Sequence, residues 1–360
     1  MNRRGAQRGP SCRIVLCALP ALLLAAAESE AAAQVRVLLV ENAEAVRVAG
    51  LELTPDREGL RAGGRQLGTE WRLDANGGPH RVGELRVRGS LVVERTESGL
   101  RVINGVPLED YVAGTLGSEI YPSWAAETLK TQAVVARTYV LYQQARRAGE
   151  AFDVRASTAD QVYGGVGAET RAVRAAVHAT RAEVLVYRGS PILAAFHSAS
   201  GGQTASAEEV WGRALPYLVS RAVPNEEDSP DTYWRASVSR TTLGRALAPL
   251  GLRIGAVRQV RVGERSASGR ALRVHLLGTE GSEDLEARAL RSALGRSVIR
   301  STLFEVRNAE DGFIFVGSGH GHGVGMSQWG AQAMARRGAS YREILEWFYP
   351  GTQLVRSDAR

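Results

Sequence analysis

The chain has 360 residues, with 45 Lys and Arg against 38 Asp and Glu, giving a formal net charge of +7. The excess is spread along the chain as Arg, and no basic run is interleaved with aromatics, which argues against nucleic acid as a partner. Both cysteines, Cys12 and Cys17, lie in the first 33 residues, so the rest has neither a disulfide framework nor a thiolate metal site.

Residues 1–33 read as a signal peptide. Arg3, Arg4, Arg8 and Arg13 precede an apolar run from Ile14 to Ala27, and Ala31-Ala32-Ala33 offers an Ala-x-Ala cleavage site. The run is short for a bilayer span, so no transmembrane span is expected after cleavage. Four Arg and two Glu leave with this segment, so +5 of the +7 stays with the mature chain. That mild excess suits an envelope protein meeting anionic wall polymers, but Arg spread along the whole chain singles out no one partner. Export to the periplasm or cell envelope is therefore expected, with a mature N-terminus near Gln34. N-terminal sequencing of protein from its native host checks this. A chain that keeps Ile14 to Ala27 would instead be membrane-anchored. About 325 residues remain, enough for a large core and long enough for two domains.

Residues 34–105 are strand-rich. Q-V-R-V-L-L-V, A-V-R-V-A, E-L-R-V-R-G-S-L-V-V-E and G-L-R-V-I-N alternate or run apolar, and N-G-G-P at Asn76 to Pro79 is a turn. The expected role is a β module that supports the core C-terminal to it, with an interaction surface for another enzyme as the alternative.

Residues 106–235 open with two helices. Pro107 suits a first helical turn, Glu109 and Asp110 favour its dipole, and Leu108, Tyr111, Val112, Thr115 and Leu116 recur at helical spacing. Gly117 is expected to close this helix. Ser123, after Pro122, is the expected N-cap of the second. Leu129, Ala133, Ala136 and Val140 form the buried stripe of that helix, with Lys130 and Arg137 on one flank and Gln132 on the other. Lys130 is the only lysine in the chain. Glu119 falls in the intervening turn among Ile120, Tyr121, Pro122 and Trp124. Apolar neighbours strip hydration from a carboxyl, raise its pKa and make it a usable general acid near neutrality. Further on, D-Q-V-Y-G-G at Asp160 to Gly165 presents Gln161 and Tyr163 to one face of an extended segment. A helix over 170–180 and strands A-E-V-L-V-Y and I-L-A-A-F-H then lead to His197-Ser198-Ala199-Ser200-Gly201-Gly202. The nucleophile-elbow pattern G-x-S-x-G is absent, so a serine nucleophile is disfavoured. A polar cleft wall, with His197 and Ser198 hydrogen-bonding substrate, is preferred over a purely structural turn.

The acidic loop N-E-E-D-S-P at Asn225 to Pro230 is placed at the cleft border. Residues 236–306 read as an inserted α/β subdomain without chemistry of its own, and His275 as a strand residue. Residues 307–360 return to the core with G-H-G-H-G-V-G-M-S-Q-W-G-A at Gly319 to Ala331 and two closing helices. Glycines there allow close backbone approach. His320 and His322 alone are too few for a zinc site, which needs three or four ligands. No metal and no cofactor are expected.

The blocks P-L-E-D-Y-V, S-E-I-Y-P, E-T-L-K-T-Q-A-V-V-A-R-T-Y, D-Q-V-Y-G-G, F-H-S-A-S-G-G-Q-T and G-H-G-H-G-V-G-M-S-Q-W-G-A resemble the SpoIID/LytB family, the stage II sporulation protein D and amidase-enhancer group. Members read roughly as P-L-E-E-Y-V, a Glu followed by Met or Ile and then Pro, and E-A-L-K-A-Q-A-V-A-A-R-T-Y. Tyr121 is inserted here between Ile120 and Pro122. Some members hold zinc partly through cysteines just after the H-S-x-S-G-G block, and this chain has none there. The resemblance implies a lytic transglycosylase acting on peptidoglycan glycan strands, especially strands stripped of stem peptides. Glu119 would be its acid/base. Lys130, Gln132, Arg137, Gln161, Tyr163, His197, Ser198, Ser200, His320, His322 and Gln328 would bind substrate. Glu127 and Asp160 are the candidates should a second carboxylate be needed. The alternative is a non-catalytic peptidoglycan-binding amidase enhancer, partnered with a cell-wall amidase, in which Glu119 pairs with Lys130 or Arg137. The fold expected is α+β: a β-rich N-terminal region, a mixed core around the two-helix motif, and the inserted α/β subdomain.

Overall fold

Alternation builds the N-terminal sheets. In strand Gly99–Pro107, Leu100, Val102 and Val106 are fully buried, and across an antiparallel ladder they lie opposite Ala43, Val40 and Val35 of Gln34–Ala43. The computed structural model describes residues 34–75 and 78–357. The expected signal peptide and the Asn76-Gly77 part of the expected turn lie outside the described residues. A five-stranded sheet runs in the order Val154–Arg155, Gln34–Ala43, Gly99–Pro107, Ser90–Thr96, Glu70–Leu73. A six-stranded sheet, from Arg65–Gly68 through Leu51–Asp56 to Leu85–Val87, packs its Val48, Leu53, Leu60 and Val87 into the same core.

Eight α-helices complete the architecture among the described residues: α1 (Leu108–Glu119), α2 (Ala126–Arg146), α3 (Arg171–Ala179), α4 (Ala207–Trp211), α5 (Arg240–Leu247), α6 (Ala287–Leu294), α7 (Gln328–Arg336) and α8 (Tyr341–Phe348). The fold is α+β, with a β-rich N-terminal region. No helix among the described residues is long and apolar enough to cross a membrane.

Helix α2 is the central wall. Leu129, Ala133, Ala136 and Val140 face α1 and the N-terminal sheets, whereas Val134 and Val135 face a second core built with Leu185, Met326, Ile344 and Phe348. A single-stripe reading of this helix therefore underestimates its burial. Boundaries also differ from expectation. Gly117 does not end α1, because its missing Cβ lets the Ala168 carbonyl lie against the helix. The helix runs two residues further and ends on Glu119 itself. Ser123 does not cap α2. Ala125 is the N-cap, and the Gln332 Oε1 of α7 accepts hydrogen bonds from Ala125 N (3.1 Å) and Thr128 Oγ1 (2.7 Å). A cap supplied from 207 residues away has no local sequence signal.

The chain between 234 and 317 forms a third core. Strands Trp234–Ser239, Gly312–Gly317 and Phe304–Ala309 make one sheet, and Val257–Arg265, Ala271–Gly278 and Ser282–Glu286 another. Trp234, Leu243, Val260, Leu290 and Phe315 are buried between them. Strands Phe196–His197 and Met326–Ser327 pair in parallel and join the two glycine-rich segments at the site.

Candidate active site

Glu119 ends α1 with its side chain mostly buried, on the lining of a cleft of about 640 Å³. Its Oε1 accepts a hydrogen bond from Val162 N at 2.6 Å, and the Gln328 side chain hydrogen-bonds it as well. Burial pushes its carboxyl up to about 7, against these two hydrogen bonds, which favour the ionised form. The partial negative charge at the C-terminal end of α1 acts in the same direction as burial.

Only one other carboxylate, Asp160, lines this cleft among the described residues, and it is fully engaged. It accepts hydrogen bonds from Tyr139 Oη (3.0 Å), Gln143 Nε2 (3.1 Å), Arg155 N (2.8 Å) and Arg147 (3.0 Å), with its side chain 2% exposed. Glu127 lies elsewhere, held by Lys130 Nζ at 2.6 Å and Tyr341 N at 2.8 Å.

The two glycine-rich segments supply another part of the lining. His197, Ser198, His320, His322 and Gln328 all line the cleft with Glu119. His197 Nδ1 lies 3.1 Å from the Val324 carbonyl, an acceptor only, so that nitrogen carries the proton and Nε2 is bare and unpartnered. Burial holds the His197 imidazole well below its usual range, so it is neutral. Val324 N donates to His322 Nδ1, and burial pushes the His322 imidazole down to about 4. His320 Nδ1 is oriented by Asp231 Oδ2 at 3.1 Å, and Arg300 braces that carboxylate. Gly321 (φ +118°) must be glycine on two counts: the angle is left-handed, and a Cβ would collide with that of His197.

The remaining expected residues lie off this lining. Gln161 Oε1 accepts from Tyr111 Oη at 2.8 Å, and Tyr163 stacks on Tyr111 with ring centroids 5.5 Å apart. Gln132 is fully buried and touches the site through Gln328, whose Nε2 lies 3.5 Å from its Oε1. Ser200 turns away from the cleft and donates to Glu226 Oε2 at 2.6 Å. Arg137 is fully buried and forks onto Glu109 at 2.9 and 2.6 Å. Lys130 pairs with Glu127, which overturns the expected pairing of Glu119 with Lys130 or Arg137. Because the Lys130–Glu127 pair is partly exposed, Lys130→Met is expected to change stability by about 1 kcal/mol or less. Thermal melts of that variant check this. A larger loss would mean that Lys130 has a structural partner beyond Glu127.

Several site residues had no local signal. Trp211, Tyr139, Arg291 and Arg296 line the cleft from distant segments. The loop at Asn225 to Pro230 does not line it. Instead Glu226 reaches beneath the wall and clamps the backbone of Ser200, Gly201 and Gly202.

A sequence profile described as Stage II sporulation protein matches residues 96–187, the stretch that carries α1, Glu119 and α2. An uncharacterized protein of Brachyspira hyodysenteriae is 36% identical over 74% of this chain and 72% of its own length. Stage II sporulation protein D of Bacillus subtilis is 30% identical over 75% of this chain and 80% of its own. The chain belongs to the SpoIID/LytB family. Another SpoIID/LytB relative, the protein named Amidase enhancer in Bacillus subtilis, is 29% identical over 67% of this chain but only 40% of its own length. A second profile, described as Domain of unknown function (DUF8618), matches residues 206–325. That range covers α4 through the histidine loop of this SpoIID/LytB chain, so the part of the cleft lining that the two glycine-rich segments supply falls outside the SpoIID profile, with His320 and His322 inside the second one.

Proposed function

We propose that the protein is a peptidoglycan lytic transglycosylase that cuts glycan strands, preferentially strands lacking stem peptides, to 1,6-anhydro-muramic ends. The observation that carries this reading is a single available carboxyl, Glu119, poised at about 7 in a cleft whose other carboxylate is tied up. A glycosidase that uses water or a covalent intermediate generally needs two carboxyl groups flanking the bond. One suffices when the substrate supplies its own nucleophile. Glu119 protonates the glycosidic oxygen between N-acetylmuramic acid and N-acetylglucosamine as the C1–O bond breaks. Its carboxylate then takes the proton from the muramic C6 hydroxyl, and that oxygen bonds to C1. The proton count closes on one residue and no water is consumed. Val162 N and Gln328 hold the carboxyl in place through both transfers. The neutral His197 imidazole and the His320 imidazole, oriented by Asp231, line the cleft where sugar hydroxyls would lie.

Mass spectrometry of denuded strands after incubation tests the reading. Anhydro ends, lighter by one water than hydrolytic ends, are expected. The acid must start protonated, so kcat/KM is expected to be level at acidic pH and to fall as pH rises through about 7. A profile flat well above neutrality would remove Glu119 as the acid. The name of the amidase-enhancer relative supports a second reading, a glycan-binding protein that stimulates a wall amidase. Wild-type protein that makes no cut but accelerates an amidase would select it.

A further inference from the structure

Tyr121 comes two residues after Glu119 and is 58% exposed, an unusual placement for a large aromatic beside a buried acid. It is not isolated. Its ring centroid lies 5.5 Å from that of Trp124 and 6.3 Å from that of Trp329, and the two indoles meet edge to face at 4.8 Å. Tilted contacts at these spacings are favourable between rings and hold the three as one slab. Trp124 packs its inner side on the main core, while Tyr121 stays open to solvent.

The slab is rigidly mounted. Trp124 N donates to the Tyr121 carbonyl at 3.0 Å, closing a tight turn. Gln332 of α7 fastens the start of α2 just beyond it. Trp329 N donates to the Ser198 carbonyl at 3.0 Å, and its neighbour Gln328 hydrogen-bonds Glu119. The rings lie outside the cleft lining, yet two of them sit one and two residues from cleft residues Gln328 and Glu119. A fixed aromatic surface mounted beside two residues of a polar cleft fits a ligand that is polar at one ring and presents a flat apolar face at the next. A pyranose has such a face: its axial C–H bonds carry slight positive charge and match the negative face of an aromatic ring.

We propose that Tyr121, Trp124 and Trp329 form a second sugar site, on which a ring of the same glycan strand stacks away from the scissile bond. The proposal rests on the glycan-strand reading of the cleft, but not on cleavage. It assigns Tyr121 a role in strand affinity and length preference.

Binding of denuded glycan strands is measured in Glu119→Gln protein, which leaves the strand uncut, with Tyr121→Ala or Tyr121→Phe added. Tyr121→Ala is expected to weaken binding about tenfold, the equivalent of one stacked ring, and Tyr121→Phe to retain it. In the active protein Tyr121→Ala is expected to raise KM about tenfold with kcat held within about twofold. Unchanged melting temperature separates this loss from misfolding. Strand binding by Tyr121→Ala within about twofold of its parent would overturn the proposal. So would a variant that keeps glycan affinity and loses stimulation of a wall amidase, which would make the slab a protein-docking face. If wild-type protein forms no anhydro ends while Tyr121→Ala still weakens strand binding, the sugar site stands and the transglycosylase reading falls.

Discussion

Glu119→Gln is expected to lose anhydro-end formation by about 10²–10⁴-fold or more while remaining folded and bound to glycan. Gln keeps the shape of the side chain and can still accept from Val162 N, but it cannot give up and recover a proton. The stability consequence is opposite in sign to the catalytic one. Glu119 has a folded-state pKa near 7, above its ordinary 4.5. Its stabilising contribution is therefore fully present below 4.5 and is lost as pH rises through 7. The difference amounts to about 3 kcal/mol at most, from the 1.36 kcal/mol per unit that links pKa to free energy. Neutral Gln does not titrate. Glu119→Gln should thus gain stability relative to wild type as pH moves from 5 to 8, and paired denaturant melts at those two values check it. A variant that folds normally and still makes anhydro ends at the wild-type rate would show that Glu119 is not the catalyst. A variant less stable than wild type at pH 8 would show that Glu119 holds a structural bond.

How much could be read from the sequence depends on how local each cause is. Glu119 stood out because Ile120, Tyr121 and Trp124 are its chain neighbours, and local apolarity is visible. The β-rich region was visible through alternation in Gln34–Ala43 and Gly99–Pro107. The two-sided burial of α2 was hidden, because a helix between two cores shows no clean stripe. Arg137 looked like a flank residue facing the cleft. Its guanidinium is instead satisfied by Glu109, 28 residues earlier, and by the Glu183 carbonyl. The engagement of Asp160 was equally hidden. It depends on Arg147 and on Tyr139 of α2 folding back across the D-Q-V-Y-G-G segment. Spacing can nominate a carboxylate, but only packing decides which one is free.

Glu226→Ala is expected to cost about 3–5 kcal/mol of folding stability, the range for removing one partner from a buried charged network. The Glu226 carboxylate is buried and accepts hydrogen bonds from Ser200 N (2.8 Å), Ser200 Oγ (2.6 Å), Gly201 N (2.9 Å), Gly202 N (3.2 Å) and Ser327 Oγ. Ser327 is also the N-cap of α7, where its hydroxyl accepts from Gly330 N at 3.2 Å. One side chain therefore joins the turn after His197 to the start of the helix that carries Gln328. Arg270 closes the same assembly by donating to the Ser200 and Gln203 carbonyls at 2.8 and 3.0 Å. Alanine would leave three backbone N–H groups and two hydroxyls without this acceptor, each buried donor costing about 1–3 kcal/mol unless water reaches it. For a protein of this size the loss corresponds to a fall in Tm of about 4–7 °C. Glu226→Gln keeps the volume and one acceptor oxygen, so its Tm should fall between wild type and Ala. Asp228→Ala in the same loop is the control. Asp228 is exposed and pairs with exposed Arg336, so its loss should stay within about 0.5 kcal/mol. Activity assayed well below the melting temperature should also drop in Glu226→Ala, because Gln328 and His197 would lose their common anchor. A Glu226→Ala protein that melts within about 2 °C of wild type would mean the turn is held by Arg270 and the parallel Phe196–Met326 pairing without the carboxylate.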